Sequence, residues 1–312
     1  MFSVETVTTL NGRIEYRKDL VTGLTCRINA ERIKRGIDQA PTLQYPADEC
    51  PFCPDQVQRV TPTFPDGSRI VHGESVTFPN LFPFAAWHTV SVITREHMVD
   101  RFTPTQITDA LEGQVESLSM RNGFASINWN FLPSAGASLA HPHLQGLVDA
   151  HPPERVRRIR EGARQYHRRT DRNYWIDQIE GERRSERYLF GDTTTWVAHA
   201  VPVGEREILG ILPCSTLQDF QELCSEFTED LLRLIDLYRA MGTYAFNMSI
   251  FFVPTRKKKD FHAFCSMIAR INPNPVSLSD TSFMERLHLE SLILTSPEDL
   301  AAFFRKERST LR

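Results

Sequence analysis

The chain has 312 residues, 41% hydrophobic and 24% charged, with a formal net charge of −3. This is the composition of an ordinary globular protein and excludes global disorder; the near-neutral balance excludes a molecule built as a trap for nucleic acid. No apolar run is long enough to span a bilayer and the N-terminus lacks the pattern of a secretory leader. Six cysteines, of which only Cys50 and Cys53 are close in sequence, suit a reducing, cytoplasmic setting.

In chain order, residues 17–35 read as two short extended pieces around a Val21-Thr22-Gly23 turn, followed by Arg32 and Arg35 on one side of a helical turn. Two guanidiniums so placed suit a phosphate. Cys50-Pro-Phe-Cys53 supplies half of a tetrahedral zinc site. A thioredoxin-like motif would need a strand before it and a helix after it, whereas Pro51 and Pro54 favour turns. The remaining two ligands are best sought in His97 and His141, with His72 and His88 as competitors. A closed Cys2His2 shell implies a structural zinc.

Two stretches then repeat one plan. In the first, an extended run at 88–94 precedes a helix with Thr103 as N-cap, Pro104 in its first turn and Gln106 completing a capping box. Ile107, Leu111, Val115 and Leu118 keep helical spacing, Gly123 is placed to end the element, and extended runs follow at 124–130 and 143–149. In the second, extended runs at 196–202 and 207–212 precede a long helical pattern from Leu217 to Tyr238 that closes at Gly242. Two more extended runs, 243–253 and 262–271, and a last helix from Ser296 complete it. The order strand, helix, strand, strand occurs twice, as expected of a duplicated α+β unit. Between the halves, the basic stretch 155–187 reads as a solvated, partly helical connector laced with acids, and the lysines 257–259 as an exposed loop.

The most informative segment is Asn130-Phe-Leu-Pro-Ser-Ala-Gly-Ala-Ser138-Leu-Ala-His141-Pro-His143-Leu-Gln145. On an extended strand His141, His143 and Gln145 share a face, and Pro142 favours that backbone. The small-residue loop upstream lets N–H groups and a hydroxyl approach an anion. A neutral imidazole there can attack the α-phosphorus of a nucleoside diphosphate compound and form a phosphoramidate. Gln145 and Ser138 are placed to stabilise the phosphoryl oxygens.

These motifs, R-x-D-x-x-T-G…R-x-x-R, then CPFC, FPNLFP and N-x(10)-H-P-H-x-Q, resemble those of the galactose-1-phosphate uridylyltransferase family, a branch of the histidine-triad superfamily, from about Arg17 to Glu290. The resemblance implies an α+β fold of two tandem histidine-triad-like units, each a mainly antiparallel sheet with packed helices. The first unit, 1–187, would carry zinc and the catalytic motif, and the second, 188–312, would be catalytically degenerate. It further implies His143 as nucleophile and Gln145 as the amide at the phosphoryl oxygens. Arg32, Arg35, Phe78, Asn80, Asn130 and Ser138 match substrate-contacting positions. Cys50, Cys53, His97 and His141 match the structural zinc ligands. The implied activity is ping-pong transfer of a nucleoside monophosphate from a nucleotide sugar to a sugar 1-phosphate, in a cytoplasmic homodimer, with no membrane and no nucleic-acid partner. A nucleotide-sugar phosphorylase or hydrolase using the same histidine, with inorganic phosphate or water as acceptor, is the neighbouring reading. A zinc-stabilised nucleotide- or RNA-binding module is the non-catalytic one. The sequence departs from the family pattern at Phe251, Phe252 and Phe264, where a second, histidine-rich metal site is expected, in the Leu212–Thr216 segment, where the family often places a histidine, and at Ser282, where a lysine is expected.

Overall fold

The computed structural model describes residues 1–9, 12–30, 50–255, 261–271 and 280–310. Arg32, Arg35 and the lysines 257–259 lie outside the described residues. The chain opens with a hairpin of β1 (Phe2–Thr9) and β2 (Gly12–Asp19), continued by β3 (Thr25–Ile28). The intervening turn is the expected one. Asp19 Oδ1 accepts the N–H groups of Val21 and Thr22, and Gly23 takes φ 73°, which favours glycine. A short helix α1 (Pro54–Val60) follows the cysteine pair. Pro54 occupies the first helical turn, where a missing N–H costs nothing, so it starts a helix rather than prolonging a turn.

The main body begins with β4 (Ile70–His72), β5 (Ser75–Pro79), β6 (Trp87–Val92), α2 (Pro104–Ser119), β7 (Phe124–Phe131) and β8 (His143–Asp149). Two connecting helices follow, α3 (Glu154–Thr170) and α4 (Tyr174–Arg183). The plan then recurs as β9 (Tyr188–Phe190), β10 (Thr195–Ala198), β11 (Ile208–Ile211), α5 (Leu217–Gln221), α6 (Cys224–Ala240), β12 (Ala245–Phe251) and β13 (Phe264–Arg270). The chain closes with β14 (Ser291–Ile293), parallel to β3, and α7 (Pro297–Thr310).

The body strands form one ten-stranded antiparallel sheet in the order β4-β5-β6-β8-β7-β12-β13-β11-β10-β9. Read from either end, the order is the same plan, and the halves meet where β7 pairs with β12. The fold is α+β, as the alternation of helical and extended patterns implied.

The α2 capping box is present: Thr103 Oγ1 accepts the Gln106 N–H and Gln106 Oε1 accepts the Thr103 N–H. The helix ends at Ser119, short of Gly123. Gly123 is required instead by a close approach: a Cβ there would lie 2.5 Å from the Asp149 carbonyl oxygen. The long helical pattern of the second half is two helices, because Thr216 caps α5 and the chain steps before α6. Gly242, at φ 72°, ends α6 in the left-handed conformation while the Thr243 N–H reaches the Tyr238 carbonyl.

Alternation along the strands sorts side chains to two faces. Leu144, Val148, Ile127 and Trp129 of the first half, and Met248, Cys265 and Met267 of the second, join α2 and α6 in the main core. The opposite face differs between the halves. On the second half α3 and α4 cover it, with Val156, Ile159 and Trp175 packed on Val197, Leu209 and Phe264. The basic connector is thus amphipathic: Arg157 and Arg158 pair with Glu154 and Glu161 on its outer side, Arg155 reaches Glu207 of the sheet, and its apolar stripe seals the sheet. Among the described residues, no helix is long and apolar enough to cross a membrane.

Candidate active site

His143 opens β8 opposite Val92 of β6. Its Nδ1 lies 2.8 Å from the His141 carbonyl oxygen. A carbonyl only accepts, so Nδ1 carries the proton and Nε2 the lone pair. The ring is 4% exposed, and burial holds its pKa below the ordinary histidine value, so it is neutral at pH 7. Phe52, between the two cysteines, sits edge-on to the ring at 5.2 Å and also touches Phe78, at 5.7 Å, and His141. Phe78 is buried in the apolar layer beneath Phe52 together with Val90 and Val92.

Cys50, Cys53, His97 and His141 converge, with one ligand atom of each within 4.8 Å of all the others. His141 Nδ1 is 3.7 Å from both sulfurs and His97 Nδ1 is 3.5 Å from Cys53 Sγ. His141 Nε2 donates to the Thr94 carbonyl at 2.8 Å, which leaves Nδ1 as the free lone pair facing the sulfurs. Burial and the neighbouring Cys50 push the Cys53 thiol up to about 11, a penalty that a cation between the sulfurs would reverse. Two soft sulfurs and two imidazoles at these separations fit a tetrahedral zinc. The competing histidines lie elsewhere: His72 pairs with Glu112 and Glu116, and His88 faces Gln145.

Gln145 shares the face of His143. Its Oε1 is 3.0 Å from His88 Nε2, and Asn80 Nδ2 is 3.0 Å from the same nitrogen. Asn130 lies on this face of β7, where its Oδ1 accepts from Asn247 Nδ2 of β12 at 2.7 Å. Asn247 also donates to the Ala135 carbonyl at 2.8 Å and accepts from Arg270, which pairs with Asp280. The second half thereby anchors the small-residue loop, which passes through Leu132 at φ 73° and Gly136 at φ 87° and carries Ser138 exposed at its end. Phe52 and Asn247 were not singled out as site residues by sequence, and His88 was weighed there only as a competing metal ligand. Phe52 was legible as the centre of the cysteine motif, whereas Asn247 reaches the loop only through the β7·β12 pairing.

The strand register gives each of these positions a counterpart. Phe264 opens β13 opposite Ile211, as His143 does opposite Val92. The Leu212 N–H reaches the Ala263 carbonyl as Ile93 reaches that of Pro142. His199 donates its N–H to the Glu207 carbonyl as Asn80 does to that of His88. Thus Phe264 stands for His143, His262 for His141, Ser266 for Gln145, Glu207 for His88 and His199 for Asn80. Phe264 is fully buried, with its ring 4.9 Å from Phe251 and 6.3 Å from Trp175. Glu207 accepts from Arg155, Ser266 and His199 at 2.6, 2.6 and 2.7 Å.

No protein-family profile matches the chain. It is 27% identical to an uncharacterized protein of Archaeoglobus fulgidus over 96% of this chain and 93% of that protein. Among solved structures it is similar to an ADP-glucose phosphorylase from Arabidopsis thaliana with bound ADP-glucose, at TM-score 0.74 and 17% identity, covering 94% of this chain and 99% of that one. A GalT-like protein from the same plant aligns at TM-score 0.73 and 17% identity, covering 93% and 98%. A uridylyltransferase aligns at TM-score 0.70 and 18% identity, covering 95% and 99%. At these identities the likeness establishes the fold, and it extends over nearly the whole of each chain. The mirrored sheet and these end-to-end alignments agree: this chain has the fold shared by the ADP-glucose phosphorylase, the GalT-like protein and the uridylyltransferase, two matching α+β halves joined side by side in one sheet.

Proposed function

We propose that this chain is a nucleotidyltransferase that carries a nucleoside monophosphoryl group on His143 Nε2. The observation that carries the reading is the state of His143: buried, neutral, and with Nδ1–H held by the His141 carbonyl, so that only Nε2 can attack. In the first step the Nε2 lone pair forms a bond to the α-phosphorus of a nucleotide sugar. The bond from that phosphorus to the bridging oxygen breaks, and sugar 1-phosphate leaves with the electron pair. The positive charge that develops on the ring is offset by the Nδ1–H···O=C hydrogen bond. In the second step an acceptor phosphate oxygen attacks the same phosphorus and the P–N bond breaks, restoring the neutral histidine. Gln145 donates to a non-bridging oxygen, and Ser138 with the N–H groups of its loop lies on the same approach.

A zinc held by Cys50, Cys53, His97 and His141 would supply a closed, structural cross-link. His141 is two residues from His143 and provides the carbonyl that fixes its tautomer, so the order of the cluster and the orientation of the nucleophile are linked. Asn80, Phe78 and Asn130, with Arg32 and Arg35, are proposed on the nucleotide and phosphate side of the site. The unit boundary near residue 187, a homodimer and a cytoplasmic location belong to the same reading.

The acceptor separates two versions. A sugar 1-phosphate gives a transferase, inorganic phosphate a phosphorylase; similarity to an ADP-glucose phosphorylase favours the second. Intact mass spectrometry after mixing with UDP-, ADP- or GDP-glucose at mildly basic pH tests the covalent step. One nucleoside monophosphate adduct is expected, absent in His143→Ala, and discharged by galactose 1-phosphate or by phosphate according to the acceptor. A folded, metal-loaded protein that none of these donors labels would overturn the reading. Metal analysis should give one zinc per chain, reduced by Cys53→Ala.

A further inference from the structure

We propose that His88 is a positioning residue: its Nε2–H holds the Gln145 carboxamide by the oxygen and turns the Gln145 NH2 toward the phosphoryl oxygen at His143. This rests on the nucleotidyl-transfer reading above. His88 lies near the start of β6, one strand from Gln145 and one full pleat repeat, two residues, from Val90, the residue that pairs with Gln145 directly, so its side chain is on the same face. Its Nε2 is 3.0 Å from Gln145 Oε1. An amide can present either its oxygen or its NH2 to the ligand, and only the NH2 donates to an anion. Holding the oxygen from behind therefore sets the sign of what Gln145 offers.

The ring itself is fixed. The Phe84 N–H points at Nδ1 at 3.5 Å, and the Phe84 ring lies edge-on with centroids 4.4 Å apart. Nδ1 accepts, so the neutral ring carries its proton on Nε2 and donates to Gln145. Asn80 Nδ2 lies beside the same nitrogen, but it cannot donate to a nitrogen that already bears a proton. Its oxygen is committed to the Phe82 N–H at 2.8 Å.

The other half of the sheet supplies an independent observation. At the counterpart positions the same contact is kept with its polarity reversed: Glu207 accepts from Ser266 at 2.6 Å. There the pocket takes a cation from its own chain. Arg155 donates to Glu207 at 2.6 Å and to Ser266 at 2.8 Å, with its guanidinium carbon 5.5 Å from the centre of the Phe264 ring. An acceptor at this strand position makes a cation seat. A donor at the same position, His88, makes an anion seat out of the same geometry.

The test is the single-turnover rate of adduct formation with ADP-glucose and UDP-glucose. His88→Ala and Gln145→Ala should each slow it by about 10- to 100-fold at saturating donor, the scale of a misplaced contact. The double variant should be no slower than Gln145→Ala alone, because both changes remove one device. His88→Gln, whose amide can restore an N–H near the same point, should recover most of the rate, and His88→Glu should not. Full-rate labelling of His88→Ala, or a double variant that multiplies the two losses, would overturn the proposal. A wild-type protein that is never labelled would count against the nucleotidyl-transfer reading instead. In that event, long-range 1H–15N spectra still decide the geometry. A protonated Nε2 and bare Nδ1 on His88 are expected, and a protonated Nδ1 would overturn it.

Discussion

The two halves of the sheet have the same strand order and opposite uses of one face. On the first half, His143, Gln145, Asn128 and Asn130 form a polar row edged by the cysteine–histidine cluster. On the second, Phe264 and its neighbours lie under α3 and α4, and the half-buried Arg155 pairs with the buried Glu207. The strand geometry does not make the site, since it is present twice. The difference is made by a few side chains and by where the connector packs. The filled half also serves the open one, because Asn247 holds both Asn130 and the loop before His141.

The sharpest way to test that comparison is to turn the first half into the second. His143→Phe copies the counterpart residue and should remove adduct formation by at least about 10⁴-fold, as loss of a nucleophile does. Its thermal midpoint should change little, since the ring already packs against Phe52. Equal loss of labelling and of folding would instead make His143 a structural residue.

The next effect belongs to the filled half. Burial alone would raise the Glu207 carboxyl, but Arg155, His199 and the bond from Ser266 hold it well below the ordinary carboxylate range. A carboxylate pKa lowered on folding contributes stability that is complete above the unfolded value of about 4.3. That contribution falls away as pH drops below it, because the unfolded state takes up protons first. Glu207→Gln should cost about 3–5 kcal/mol near neutral pH, the scale for breaking a buried pair. It should also flatten the acid limb of stability measured by urea unfolding between about pH 5 and 3.

Phe264→Ala opens a cavity under α3 and α4 and should cost about 3 kcal/mol or more in the same measurement. Labelling of His143 at permissive temperature should persist, which would separate the stability of one half from the chemistry of the other. The smallest expected effect compares α2 with α6, the helix of each half that packs in the main core. α2 has a capping box, whereas the N-cap of α6, Leu223, supplies no side-chain cap. Thr103→Ala should therefore cost about 1 kcal/mol by thermal unfolding, and Leu223→Ser should cost little or nothing through the cap.

By itself the sequence determined whatever depends on neighbours along the chain. The capping box of α2, the turn at Gly23 and the close of α6 at Gly242 follow from local chemistry. The alternation of His141, His143 and Gln145 needed only the two-residue period of a strand. The repeated order of elements was legible for the same reason, and with it the fold class. Gly123 and Pro54 were misread because their roles depend on contacts and helix starts that local pattern does not separate.

Only the tertiary structure decided what depends on residues distant in sequence. It brought His97 and His141, the histidines already preferred over His72 and His88, to the cysteines, because the chain just after β6 pairs with the chain just before β8 through Ile93 to Pro142 and His141 to Thr94. Placing Phe52 on the His143 ring and Asn247 under the loop likewise required strands far apart in the chain. The basic connector, read as solvated, had its apolar stripe hidden among arginines. Its burial was settled only when the second half presented Phe264 where the first presents a histidine, leaving an apolar face that water would not cover.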